Sequence, residues 1–168
     1  MGGIAAGSTR LASKQVKKFS EPGIASVSQA TTGIRWRQGI RQQGMPWENY
    51  VGAQLPANSR LPANFKTFDY YNPISRTAIS VKTLDTTTAA RVANPNRVYS
   101  SLKGNIDSAA RFTDYTLDNV PLSSSMIGFR ELRVAVPTGT TPTQWTQINR
   151  AIEYGQELGV KVIITTVK

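Results

Sequence analysis

The sequence predicts an α/β domain, a mixed β-sheet with flanking helices, from three observations. Residues 131–136 (ELRVAV) and 160–167 (VKVIITTV) are apolar runs rich in β-branched residues, with one helical stretch between them. That is the pattern of a parallel β-α-β unit. Residues 65–71 (FKTFDYY) and 77–82 (TAISVK) flank the turn-forming string Asn72-Pro73-Ile74-Ser75, as in an antiparallel hairpin. Between these two units, Val98, Leu102, Ile106, Ala109 and Phe112 recur at helical spacing.

Taken in order, residues 1–9 are small and flexible in composition, and Arg10 to Phe19 can form a short helix ended by Glu21-Pro22-Gly23. Residues 24–33, rich in Ser, Thr and Gly, read as a linker. The expected organisation is therefore a flexible basic segment over 1–33 and a folded domain over 34–168. Residues 34–44 are basic and broken by Gly39 and Gly44. A helix is expected to start at Pro46, which suits a first turn, and to stop at Leu55-Pro56. Residues 97–112 form the next helix and 131–136 the next strand. Thr141-Pro142 then caps a helix over 142–158 with Trp145, Ile148, Ile152 and Leu158 toward the core, Gly159 ends it, and 160–167 is the last strand.

Composition narrows the chemistry. The 168 residues contain no Cys and no His, which excludes disulfides, thiolate nucleophiles, Ser-His-Asp triads and His-metal sites. Acid–base work falls to Asp, Glu, Lys, Tyr or a metal-activated water. No apolar run is long enough for a membrane span, and Met1-Gly2-Gly3 does not begin a secretory signal. Net charge is +10, which points to a polyanionic partner. The charge is uneven: residues 1–41 carry seven basic residues and one acid.

With only ten acids in the chain, each can be weighed. Asp69 lies in an aromatic strand, where Asp is disfavoured and needs a partner or a task. Ser80 and Lys82 share one face of the following strand by its two-residue period. A tight turn at Pro73-Ile74 pairs Asp69 with Ala78 and leaves Lys82 roughly 13 Å away. A looser connection over 72–77 brings Asp69 nearer Ser80 or Lys82. From spacing alone, an Asp69–Lys82 ion pair of purely structural value is the readier reading. Glu48 taken alone is a helix N-terminal acid. Asp85 reads as a cap for residues 86–90. Trp47 and Trp145 read as core residues. Arg35, Trp36 and Arg37 interleave charge with an aromatic, a pattern that can hold phosphates and stack a base, or anchor a partly buried ring between solvated arginines. Arg130 and Arg133 are weak candidates for contact with a substrate backbone, and Lys14, Lys17 and Lys18 read as a solvated helix face.

Glu48, Asp69 and Ser80-x-Lys82 resemble the core of the PD-(D/E)xK nuclease superfamily, the restriction-endonuclease fold. Ser80 stands where most members carry an acid. The strings Trp47-Glu48, Phe65-Lys66-Thr67-Phe68-Asp69 and Ala78-Ile79-Ser80-Val81-Lys82-Thr83-Leu84-Asp85 resemble the C-terminal ribonuclease toxin domains of bacterial contact-dependent growth inhibition proteins. The resemblance implies an endonuclease that cuts tRNA in the cytoplasm of a target bacterium, with Glu48, Asp69, Ser80 and Lys82 catalytic. It implies a divalent metal on Glu48 and Asp69, Mg²⁺ first and Zn²⁺ as the alternative. It also implies a cognate immunity protein, with the toxin a monomer or in a 1:1 complex, and an origin at the C-terminal end of a large exported cell-surface protein whose segment for entering the target ends in the basic first residues. The rival expectations are a deoxyribonuclease on the same fold and a non-catalytic basic nucleic-acid-binding domain. Arg35, Trp36 and Arg37 are the nucleic-acid-binding candidates.

Overall fold

The computed structural model describes residues 24–27, as backbone, and residues 32–168. The expected helix from Arg10 to Phe19, with its lysines, lies outside the described residues. The elements run β1 (Ile24–Val27), α1 (Ile40–Gly52), β2 (Tyr70–Asn72), β3 (Thr77–Thr83), α2 (Ala89–Ala93), α3 (Asn96–Arg111), β4 (Asp114–Leu117), β5 (Val120–Ser123), β6 (Phe129–Pro137), α4 (Pro142–Glu157) and β7 (Val160–Val167). They form the mixed α/β architecture expected.

Five strands make one sheet in the order β1-β7-β6-β3-β2, and β4-β5 is a separate hairpin. β3, β6, β7 and β1 are mutually parallel, and β2 closes the other edge antiparallel to β3. β1 corrects the sequence reading, which assigned residues 24–27 to a linker. This stretch instead satisfies the backbone edge of β7, with Ile24 opposite Ile164.

Two apolar clusters cover the two faces of the sheet. The larger holds Leu132, Val134, Val136, Val162 and Ile164 from the strands against Leu102, Ile106, Ile148 and Ala151 from α3 and α4. The smaller sits under α1, where Trp47 and Val51 meet Tyr70, Ile79 and Val81. α3 and α4 are also tied at their surface, where the Tyr154 hydroxyl donates to Asp107 at 2.5 Å and Lys103 donates to the other carboxylate oxygen at 3.1 Å. At the start of α4, the Thr141 hydroxyl accepts from the Gln144 amide and the Gln144 side chain accepts from Thr141 N–H, a reciprocal cap.

Three boundaries depart from the sequence reading, each for a local reason. α1 begins at Ile40, so Pro46 is inside the helix and not at its start. Proline removes the amide that would bond the Gln42 carbonyl four residues back. That carbonyl accepts from Arg35 N–H at 3.0 Å instead, so the approach segment repairs the defect and is fastened to α1. The expected strand over 65–71 is shortened to Tyr70–Asn72, because Asn64 and Thr67 adopt φ of 67° and 68° and bend the chain. Its aromatics are still used for packing: Phe65 meets Tyr115 edge-on at 5.0 Å and Phe68 meets Phe112 at 5.1 Å. The β4–β5 hairpin had no counterpart in the sequence reading. Its turn is Asp118-Asn119, both left-handed, which is the geometry that twist-matched two-residue hairpins require.

Gly155 marks the closest approach of α4 to the sheet. A Cβ there would meet the Val160 carbonyl at 2.7 Å and the Val162 side chain at 2.9 Å. Alanine is favoured over glycine in a helix by about 1 kcal/mol, yet a Gly155→Ala variant is expected to lose about 1–3 kcal/mol through overpacking. Urea unfolding measures the balance, and a gain in stability would show that the two elements have room to separate.

Candidate active site

The connection between β2 and β3 is the looser of the two expected. The Asn72 side chain accepts from Ile74 N–H and Ser75 N–H, and pairing resumes at Asn72 opposite Thr77. In this register Tyr70 faces Ile79 and Tyr71 faces Ala78, so the tight-turn pairing of Asp69 with Ala78 is not adopted.

Asp69 itself stands just outside the regular strand. Residues two apart in a strand share a face, but Phe68 packs in the larger cluster and Tyr70 in the cluster under α1. The backbone therefore turns at Asp69, pinned by buried rings on opposite sides. Asp69 N–H still donates to the Ile79 carbonyl at 2.9 Å. Its carboxylate reaches the edge of β3 and accepts from Val81 N–H at 2.7 Å, taking the place of a strand carbonyl. Val81 is flanked by Ser80 and Lys82, whose side chains share the opposite face from its own, so the carboxylate is held beside both.

α1 brings Glu48 to the same place. Trp47 is buried under the helix and its indole N–H donates to the Arg133 carbonyl of β6 at 3.3 Å. The Tyr70 hydroxyl donates to the Glu48 carbonyl at 2.8 Å. That contact needs Gly52, because a Cβ there would lie 2.2 Å from the Tyr70 oxygen. Glu48 is thus fixed by the strand that follows Asp69. Its carboxylate accepts from Arg60 Nη1 at 2.6 Å, while Arg60 Nη2 donates to Asn49 and the guanidinium lies over the Tyr70 ring at 5.0 Å.

The electrostatics follow from this packing. Burial pushes the Asp69 carboxyl up from its ordinary 3.8 to about 6, and the nearby Glu48 charge pushes the same way. The Val81 amide, Lys82 and Arg60 oppose the rise. Ser80 is 2% exposed, and its hydroxyl has no hydrogen-bond partner among the described residues. A buried unsatisfied hydroxyl calls for a bound water or ion. Glu48 and Asp69 carry oxygen ligands of the kind that a hard divalent cation takes, and the Ser80 hydroxyl is a further oxygen that could join them. Among the described residues no group of three or more acidic side chains gathers, so the hydroxyl, backbone and solvent would complete the ligand set.

Of the candidate residues, the structure brings Glu48 and Lys82 within electrostatic reach of Asp69, and Ser80 precedes the Val81 amide that holds the Asp69 carboxylate. Arg35, Trp36 and Arg37 lie apart, where β6 and β7 end. Arg60 and Tyr70 are not among the residues that the sequence singles out, since Arg60 sits in an irregular stretch and is carried beside Glu48 by its backbone bridge to Tyr70. Asp85 is a buried turn residue whose carboxylate accepts from Thr87 N–H and hydroxyl. Arg130 is also spoken for: its Nη1 caps α3 by donating to the carbonyls of Ala109, Ala110 and Phe112. Arg133 pairs with Glu131 at 2.9 Å.

An Asp at the start of a hairpin, an acid from the preceding helix and a lysine on the next strand, all on a mixed sheet, are the arrangement of a restriction-endonuclease-like domain. Residues 43–165 match the family model described as the CDI toxin restriction endonuclease-like domain, and the chain belongs to that family. It is 58% identical over 144 residues to deoxyribonuclease CdiA-o11 of Escherichia coli O157:H7 (strain EC869). It is 55% identical over 144 residues to deoxyribonuclease CdiA of Yersinia pseudotuberculosis serotype O:3 (strain YPIII). Each match takes in 86% of this chain but only 38% and 13% of those proteins, so the chain spans a small part of these relatives. The CdiA-CT/CdiI toxin and immunity complex from Yersinia pseudotuberculosis contains a chain with the same fold, at TM-score 0.69 and 56% identity, covering 74% of this chain and all of that one.

These relatives overturn the tRNA expectation, because both named enzymes are deoxyribonucleases. The physical reason for the error is that the four-residue motif from which the expectation came specifies chemistry at a phosphodiester, which RNA and DNA share. Sugar identity is read through contacts to the 2′-hydroxyl, which the motif does not contain.

The raised Asp69 value makes a stability prediction for metal-free protein. The folded state holds this proton more tightly than the unfolded chain. The cost of burying the charge is therefore fully present above about pH 6 and is relieved as pH falls toward 3.8. The Asp69→Asn variant keeps an acceptor for Val81 N–H and removes the charge. It is expected to gain about 1–3 kcal/mol at pH 7.5, with the gain shrinking toward pH 4. Thermal unfolding in EDTA checks this, and a loss of stability that is the same at both pH values would refute it.

Proposed function

We propose that this chain is the toxin domain of a larger exported bacterial surface protein and acts as a divalent-metal-dependent deoxyribonuclease. The observation that carries the reading is the Asp69 carboxylate held on the amide of Val81, the residue between Ser80 and Lys82, with the Glu48 charge nearby on α1. The deoxyribonuclease names of the two relatives support the substrate. The solved toxin and immunity complex supports a cognate immunity protein as partner. No helix among the described residues is long and apolar enough to cross a membrane.

In this reading Glu48, Asp69 and Ser80 hold the cation, with Mg²⁺ suited to the oxygen donors and Zn²⁺ as the alternative. When bound, the cation supplies Lewis acidity toward the phosphodiester and eases deprotonation of water. Asp69 must be ionised to hold it, and a bound cation lowers its pKa again because opposite charge favours the carboxylate. Lys82 is exposed at the end of β3, where its ammonium can orient the attacking water and balance charge that grows on the phosphate oxygens. Water adds to phosphorus, the bond to one sugar oxygen breaks, and that oxygen takes up a proton. Arg60 holds Glu48 in place before the cation arrives.

Incubation of plasmid DNA with the protein in Mg²⁺ is expected to give strand breaks that EDTA abolishes. Asp69→Ala and Lys82→Ala are each expected to slow cleavage by about 10²–10⁴-fold with the circular dichroism spectrum retained. Intact plasmid with cleaved tRNA, or cleavage by Asp69→Ala at the wild-type rate, would overturn the reading.

A further inference from the structure

The segment before α1 folds back onto the sheet and builds a second surface. Ile34 is fully buried in the cluster under α1, and the Trp36 indole N–H donates to the Val167 carbonyl at 3.2 Å. Arg37 adopts φ of 67°, which turns its side chain toward the residues that follow β3. Its Nε donates to the Thr87 hydroxyl at 3.2 Å and its Nη2 to the Thr87 carbonyl at 3.3 Å. Together with Pro137 these residues line an open groove of about 820 Å³.

The place of the groove in the fold gives it meaning. Pro137 and Val167 end β6 and β7, and Thr87 follows β3, so the groove lies along the carboxyl ends of the parallel strands. Lys82 sits at the same edge, next to the last residue of β3. Open α/β sheets bind ligands at this edge. Arg35 and Arg37 are both exposed in the groove wall. Arg35 spends only its backbone amide, on Gln42, and its guanidinium has no partner among the described residues. Arg37 uses two of its N–H donors on Thr87 and keeps the others. One guanidinium braced on Thr87 and a second left free of partners among the described residues give the groove a doubled positive charge, which suits the repeating charge of a phosphodiester backbone better than an isolated anion. The half-buried Trp36, bonded to β7, sets the floor of the groove and does not stand free to stack a base.

We propose that this groove, formed by residues 33–38 with Thr87 and Pro137, holds the backbone of the DNA strand beyond the catalytic centre, with Arg35 and Arg37 on its phosphates. The proposal rests on the nuclease reading and extends it to residues upstream of the matched family region at 43–165.

The test is fluorescence anisotropy of a short fluorescein-labelled DNA duplex with wild-type protein in EDTA, across a salt series. Arg35→Gln is expected to weaken binding about five- to tenfold at low salt and to reduce the salt slope by about one. Arg37→Gln is expected to do the same, and because its side chain also braces Thr87, Arg35→Gln is the cleaner variant. Arg111→Gln is the control. It is exposed at the end of α3 that Arg130 caps near the start of β6, the opposite edge of the sheet. Its affinity is expected to stay within about twofold of wild type, since it lies off the path. Wild-type affinity and slope in Arg35→Gln, with plasmid still cut by the wild type, would overturn the groove and leave the nuclease reading intact. A wild type that binds but never cuts DNA would overturn the nuclease reading instead. An Arg35→Gln variant with unchanged DNA affinity and weakened immunity-protein binding would reassign the groove to a protein interface and so overturn the proposal.

Discussion

The hydrogen bond from Val81 N–H to the Asp69 carboxylate is the contact on which the site depends. It substitutes a side-chain oxygen for a strand carbonyl at the place where β2 would otherwise have continued. Phe68 and Tyr70, buried on opposite faces of the sheet, force the backbone turn that makes the substitution possible. Every other site residue is located relative to this point. Ser80 and Lys82 flank the donor in β3, and Tyr70 carries the bond that fixes Glu48 on α1.

The arrangement opposes local stability. A half-buried carboxylate with a value raised to about 6, beside a second carboxylate, is costly without a cation. The buried Ser80 hydroxyl, without a partner among the described residues, adds to that cost. The surrounding structure offsets both with the two apolar clusters, and Arg60 screens Glu48 with a bond of 2.6 Å. A combination of this kind fits the proposed cation site, since an entering positive charge would make the same groups favourable.

Much of the fold was legible because its strongest signals are local. The 3.6-residue period of Val98, Leu102, Ile106 and Ala109 and the Thr141-Pro142 cap mark helices that the structure places within a residue or two. The β-branched runs of β6 and β7 are equally direct. The features that escaped depend on distant partners. Ile24–Val27 becomes a strand only because β7 offers an open edge, and Pro46 is tolerated inside α1 only because Arg35 N–H takes the freed carbonyl. The hairpin at 114–123 does carry a local signal, the Asp118-Asn119 turn, but its strands are short and largely exposed. In the site, Glu48, Asp69, Ser80 and Lys82 were named from motif and resemblance, and the register between them was left open. Arg60 was out of reach because only the bridge to Tyr70 brings it there. The ribose expected from the resemblance is corrected by the deoxyribonuclease names of the relatives, because the motif itself is common to enzymes that cut either nucleic acid.

The most direct test of the account is calorimetric titration of Mn²⁺ into metal-free wild type, Asp69→Asn and Ser80→Ala. If Glu48, Asp69 and the orphaned Ser80 hydroxyl form one cation site, wild type binds a single ion. The affinity then falls by about 10–100-fold in Asp69→Asn and by a smaller factor in Ser80→Ala, with all three proteins folded. Equal affinity in the three proteins, or no binding by folded wild type, would contradict the cation site at the centre of this account.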